Sequence, residues 1–139
     1  MATTTTEETE RLVREHFEGV WNHGEFVSDV IADDFVVHTN LGAREDHTLE
    51  AFQGFVAGAR EALPDLHKEP DDVIATDGKA TIRYTMTGTQ EGEFQGIPPT
   101  GREIELTGVA IFRLENGEIA EAWYVADFLR AMRQLGAVD

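Results

Sequence analysis

The chain has 139 residues and no cysteine, and its 27 acidic residues outnumber 11 basic ones, for a net charge of −16. That length suits one domain, residues 1–139, burying roughly two-thirds of its extended surface, and a hydrophobic share of 41% excludes a disordered polymer. The missing cysteines exclude disulfides, thiolate metal sites and a cysteine nucleophile. The acid excess argues against nucleic acid and anionic membrane, and no apolar run approaches the roughly 18 residues of a membrane-crossing helix.

Residues 1–6 read as a disordered tail. The start has neither the basic nor the apolar region of a secretion signal, and with the missing cysteines this suits a cytoplasmic protein. Only Lys68 and Lys79 are lysines. An acid-rich, lysine-poor surface holds hydration in concentrated salt, where screening removes self-repulsion, so a halophilic protein is expected, more stable in molar salt than in dilute buffer.

From Glu7 to Asn22 the stripe Leu12, Val13, Phe17, Val20 and Trp21 predicts a helix, with acids in its first turn and Gly24 ending it. Ser28 is placed to cap a short helical turn through Ala32, and Phe35 to His38 reads as a short strand. Thr48 is placed to cap a helix carrying Leu49, Phe52, Phe55 and Val56, which stops at Pro64. The period then changes to two. Leu66 to Thr76 is a strand with an edge or bulge at Lys68-Glu69-Pro70. Asp77-Gly78 turns the chain into a second strand, where Ala80, Ile82, Tyr84 and Met86 alternate with Thr81, Arg83, Thr85 and Thr87. After an aperiodic loop from Gly92 to Gly101, strands from Glu103 to Leu114 and from Ile119 to Ala126 flank Asn116-Gly117, and Phe128 to Leu135 closes as a helix. Helices first and an antiparallel meander afterwards indicate an α+β fold, the helices packed on one face of a strongly curved antiparallel sheet enclosing a pocket.

Ionisable residues inside apolar strands are the informative ones, because burying a charge is costly. Asp127 follows Trp123-Tyr124-Val125-Ala126, and at period two it shares a face with Trp123, which would raise its pKa and suit it to proton transfer. It is equally placed to cap the last helix. His38 and Asn40, two apart, form a second candidate pair, a titrating group and an amide donor, although His38 also fits the end of an edge strand. His16 lies beside the apolar stripe of the first helix. The other histidines, His23, His47 and His67, have no ligand spacing, so no metal is expected. Arg83 alternates with threonines and reads as an outward sheet face, a candidate subunit interface. No GxGxxG, P-loop or GxSxG motif occurs.

The run Gly88-Thr-Gln-Glu-Gly-Glu-Phe-Gln-Gly-Ile-Pro-Pro-Thr-Gly101, then Gly108-Val-Ala-Ile-Phe-Arg113, Asn116 to Trp123, Asp127 and Gln134-Leu-Gly136, resembles the SnoaL-like polyketide cyclases. Trp21-Asn22-His23-Gly24 and Ala62-Leu-Pro-Asp-Leu66 match as well, so the likeness covers nearly the whole chain. The resemblance implies a nuclear transport factor 2-like cone, a homo-oligomer (dimer or tetramer), and a small hydrophobic polyketide-like substrate. It further implies a lyase or isomerase reaction of the aldol cyclase type, without metal or organic cofactor. It places the family's acid/base aspartate on Asp127. Beside it the residues themselves offer His38 as second catalytic residue and Asn40, Gln90, Trp123, Tyr84, Phe17, Trp21 and His16 as substrate-binding residues. Relatives often carry His at the position of Gln90, and glutamine cannot titrate. A ketosteroid-isomerase-like activity uses the same kind of pocket. Epoxide hydrolysis needs Arg and Asp two apart on one strand, which Arg83-Tyr84-Thr85 and Arg113-Leu114-Glu115 do not supply. A non-catalytic small-molecule-binding protein is the alternative of a different class.

Overall fold

A computed structural model describes residues 5–39 and 46–138. The first apolar stripe forms α1 (Thr6–Glu18), which runs on into a π-helical turn (Gly19–His23). Order begins earlier than the expected tail allows, because Thr5 caps the helix, its Oγ1 accepting from the Glu8 amide at 3.1 Å. Gly24 closes the π turn in the left-handed region (φ 68°), a conformation that glycine adopts without steric penalty. Along this helical segment Val13, Phe17, Val20 and Trp21 are all buried. Ser28 lies inside a 3₁₀ turn (Ser28–Val30) and does not cap it.

The remaining elements are β1 (Ile31–Thr39), β2 (Asp46–Thr48), α2 (Leu49–Ala62), β3 (His67–Ala75), β4 (Lys79–Thr89), β5 (Glu103–Glu115), β6 (Glu118–Ala126) and α3 (Phe128–Gln134). Thr48 caps α2, as its sequence predicts, by accepting from the Ala51 amide. The six strands lie in the order β2-β1-β6-β5-β4-β3. β3 to β6 form the expected antiparallel meander. β1 is longer than expected and lies parallel to β6, with the unforeseen β2 on its outer edge, so the whole sheet is mixed. The architecture is the α+β cone, three helices on a curved open sheet, that the resemblance implies.

The core lies between the helices and the inner sheet face, where Ala80, Ile82, Tyr84, Phe112, Ala122 and Tyr124 meet Val13, Phe17, Trp21, Phe52 and Val56. Gly108 is paired with Tyr84 across β4 and β5, and a Cβ there would collide with the Tyr84 hydroxyl, so glycine makes room for that ring. Two register slips decide which side chains enter the core. In β3 the slip falls between Pro70 and Asp72. In β6, Ile119 pairs with Leu114 but Glu121 pairs with Arg113, leaving Ala120 as an extra residue. Ile119 and Ala120 are consequently both buried, and beyond them the even residues point inward. A one-residue slip exchanges the two faces of a strand, and this one turns Tyr124 in and Trp123 out.

Candidate functional site

Among the described residues, the interior of the cone holds one lysine or arginine side chain. Lys68, on the edge strand β3, is only 3% exposed. Its Nζ lies 3.3 Å from the Trp21 ring centroid, 4.6 Å from Tyr84, 5.3 Å from Tyr124 and 6.0 Å from Phe17. No carboxylate among the described residues pairs with it. Burial pushes this amine well below the usual lysine value, while the ring faces favour the charged form. Complete removal from water is the larger effect, and we take the lowered direction as net. The backbone at Lys68 is pinned on both sides, its N–H donating to Asn22 Oδ1 (2.7 Å) and its carbonyl accepting from Asn22 Nδ2 (3.0 Å). Trp21 Nε1 donates to the Tyr124 hydroxyl at 3.2 Å. Burial raises both Tyr84 and Tyr124, so both hydroxyls keep their protons.

Beside α1 a groove of about 420 Å³ is lined by Arg11, Leu12, Glu15, His16, Gly19, Glu25, Val27 and Val30. His16 is 6% exposed and meets Phe112 edge-on with ring centroids 5.9 Å apart. Its Nε2 has no hydrogen-bond partner, and burial lowers its pKa to about 4, so the ring is neutral at pH 7. A larger cleft of about 480 Å³, beside β4, β5 and α3, has its polar groups engaged in structure. There Asp65 accepts from the Thr89 amide and hydroxyl, while Arg130 and Gln134 donate to the Glu105 carbonyl.

Of the residues singled out in the sequence, the structure gathers Phe17, Trp21 and Tyr84 in the box around Lys68, while His16 packs on Phe112. The others lie elsewhere. Asp127 is exposed and accepts from the Arg130 amide at 3.2 Å, so it caps α3 and does not stand inside beside an indole. Trp123 does share its face, but the slip at Ala120 makes that the outer face. His38 is on the outer face too, stacked on Trp123 (5.5 Å, 25°), with Nε2 2.6 Å from Glu121 Oε2. That contact and the hydrogen bond from Arg113 hold the Glu121 carboxyl below its usual range. Gln90 is fully buried, but its Nε2 donates to the carbonyls of Ile97 and Pro98 and its Oε1 accepts from the amide and hydroxyl of Thr100. It fastens the Ile-Pro-Pro-Thr loop and has no amide group left for a substrate. Asn40 lies outside the described residues. Lys68 and Tyr124 were missed. The sequence reads Lys68-Glu69-Pro70 as an edge or bulge and assigns Lys68 no role, although the parity that Lys68 shares with Leu66 and, across the hairpin, with Tyr84 is an inward signal.

No group of three or more His, Asp or Glu among the described residues is placed to hold a metal ion, and no helix is long and apolar enough to cross a membrane. The profile of the SnoaL-like polyketide cyclases matches residues 11–135, so the chain belongs to that family. Among solved structures it is similar to TsrD from Streptomyces laurentii, at 28% identity and TM-score 0.81, covering 95% of this chain and 97% of that one. It is also similar to IdmH, a proposed polyketide cyclase from Streptomyces antibioticus, at 27% identity and TM-score 0.77, covering 91% and 96%. AclR from Streptomyces galilaeus, a proposed hydroxylase, shares the fold at 23% identity and TM-score 0.84, covering 97% and 100%. No curated protein matches by sequence.

Proposed function

We propose that this chain is a cofactor-independent cyclase or isomerase that moves a proton on a hydrophobic, polyketide-like carbonyl compound bound in the groove beside α1. The observation that carries the reading is His16 in the wall of that groove, a buried, neutral ring whose Nε2 is enclosed and has no hydrogen-bond partner. A neutral imidazole in an apolar wall donates a hydrogen bond to a carbonyl oxygen and strengthens it as enolate charge develops. Leu12, Val27 and Val30 supply apolar walls, and the carboxylates of Glu15 and Glu25 lie in the same groove to take the proton next to the carbonyl. The acid/base role that the resemblance gives Asp127, with His38 as partner, passes in this reading to these residues, because Asp127 is a helix cap and His38 belongs to the outer face. Ketosteroid-type isomerisation needs the same pairing of donor and carboxylate and is the neighbouring activity.

The test is deuterium incorporation into 2-tetralone in heavy water, followed by NMR. Wild type is expected to exceed the buffer blank, and His16→Phe, which keeps the contact with Phe112, to lose about 10²-fold or more. A wild type no faster than the blank, or a variant as fast as wild type, overturns the proposal. The engagement of Asp127 and Gln90 in structure favours the second reading, a binding protein that kept the cone without chemistry. It predicts that 2-tetralone perturbs the groove resonances without exchanging.

Two further expectations belong here. The outer face carries exposed Val109, Ile111 and Val125 beside Trp123, which we read as the contact between copies in a cytoplasmic homo-oligomer. Sedimentation of Val125→Asp should then show a smaller particle than wild type. The acid excess we read as adaptation to concentrated salt, so a melting temperature that does not rise between dilute and molar salt counts against it.

A further inference from the structure

We propose that Lys68 is a carbonyl-condensing lysine, whose amine takes a small aldehyde or ketone as an imine inside the box formed by Trp21, Tyr84, Tyr124 and Phe17. The site is distinct from the His16 groove and does not rest on it. Four aromatic rings lie within 6.0 Å of Nζ, and among the described residues no carboxylate pairs with it. A lysine retained for stability would be expected to have an acidic partner, since an uncompensated buried charge is costly. A desolvated amine without one is instead a nucleophile, because burial favours its free base. The box also suits the product. Condensation of an ammonium with a carbonyl gives a protonated imine and water. Two of the three ammonium protons leave with the carbonyl oxygen, the third stays on nitrogen, and the new C=N bond replaces C=O. Charge is conserved, so no outside acid, metal or oxidant enters the balance. The protonated imine is a diffuse cation, and the ring faces now 3.3 to 6.0 Å from Nζ stabilise it as they do the ammonium. Tyr84 and Tyr124, both held protonated, add hydroxyl groups to the same box.

The way in is the seam between the π turn and the edge strand. It is closed by the two Asn22 hydrogen bonds to the Lys68 backbone and by Arg60 Nη1 on the Trp21 carbonyl (2.9 Å). The edge strand has no strand neighbour on that side, so no β-ladder has to open with the seam.

The sequence makes the experiment clean, because Lys79, which is exposed, is the only other lysine. Full-length folded protein is incubated at pH 7 with butanal and cyanoborohydride, and adducts are located by peptide mass mapping. At that pH each tenfold of additional free base is one pKa unit, so Lys68 is expected to label at least about ten-fold faster than Lys79. Lys68→Met should lose that first adduct and keep the slower ones. Labelling confined to Lys79 and the terminal amine, or reaching Lys68 only once denaturant is added, overturns the proposal. The two readings separate experimentally: trapping on Lys68 does not require His16, and 2-tetralone exchange does not require Lys68.

Discussion

The two faces of this sheet carry charge on opposite terms. Outside, His38, Glu121, Arg113 and Glu115 form a chain of ion pairs in which every group has a partner and partial access to water. Such networks are inexpensive and individually worth little. Inside, Lys68 and His16 stand without acidic partners, and burial shifts both toward their neutral forms. The outer network carries more formal charge and its partners hold those groups in their charged forms, whereas on the inner face burial favours the neutral forms, and that is where chemistry is to be sought.

Breaking the comparison by packing gives the largest effect. Phe112→Ala, on the inner face between His16 and Tyr124, should cost about 3–5 kcal/mol in denaturant unfolding. Its neighbour Ile111→Ala, on the outer face, should change stability by less than about 1 kcal/mol. Acid comes next. His16 binds its proton more weakly in the fold (about 4) than in the unfolded chain (6.5), so its contribution is intact above pH 6.5 and is lost as the pH falls toward 4. The loss amounts to about 3 kcal/mol, and His16→Phe should remove that part of the acid transition. Lys68→Met should stabilise the protein at pH 7 by about 1–3 kcal/mol, by removing an unpaired polar group from the core. Because the folded value lies below 10.5, wild-type stability should climb as the pH rises toward 10.5, and the variant should lack that climb. The smallest effect sharpens the outer term: Asp127→Ala should cost about 1 kcal/mol through the lost cap, with 2-tetralone exchange unchanged.

Much of the fold was legible because its signals are local. Thr48 before an apolar helix, Asn116-Gly117 between alternating runs and the 80–86 alternation each specify their own neighbourhood, and the structure has them where the sequence puts them. The site was less legible because it depends on register. If the strand pairing set by the Asn116-Gly117 turn continued unbroken, Trp123 and Val125 would lie opposite Ala110 and Gly108, facing inward, with Asp127 following them. The extra residue at Ala120 cancels that inference for the whole second half of β6. Nothing in Ile119-Ala120-Glu121 announces a bulge, and its cue is long-range: an alanine small enough to be buried beside Ile119. His16 could be placed near the interior from its position in the helical stripe. Gln90 could not be recognised as a fastening, because its partners, Ile97 to Thr100, lie across an aperiodic loop.

The bulge at Ala120 has an evolutionary corollary. Loss of that one codon would join Ile119 directly to Glu121 and leave Tyr124 inward and Trp123 outward, whereas keeping the residue but pairing it into the ladder would turn the tryptophan, the valine and the aspartate inward and the tyrosine out. Within this cone the position of one unpaired residue therefore decides which aromatic ring faces the interior, and where this strand bulges is where divergent activities should be sought.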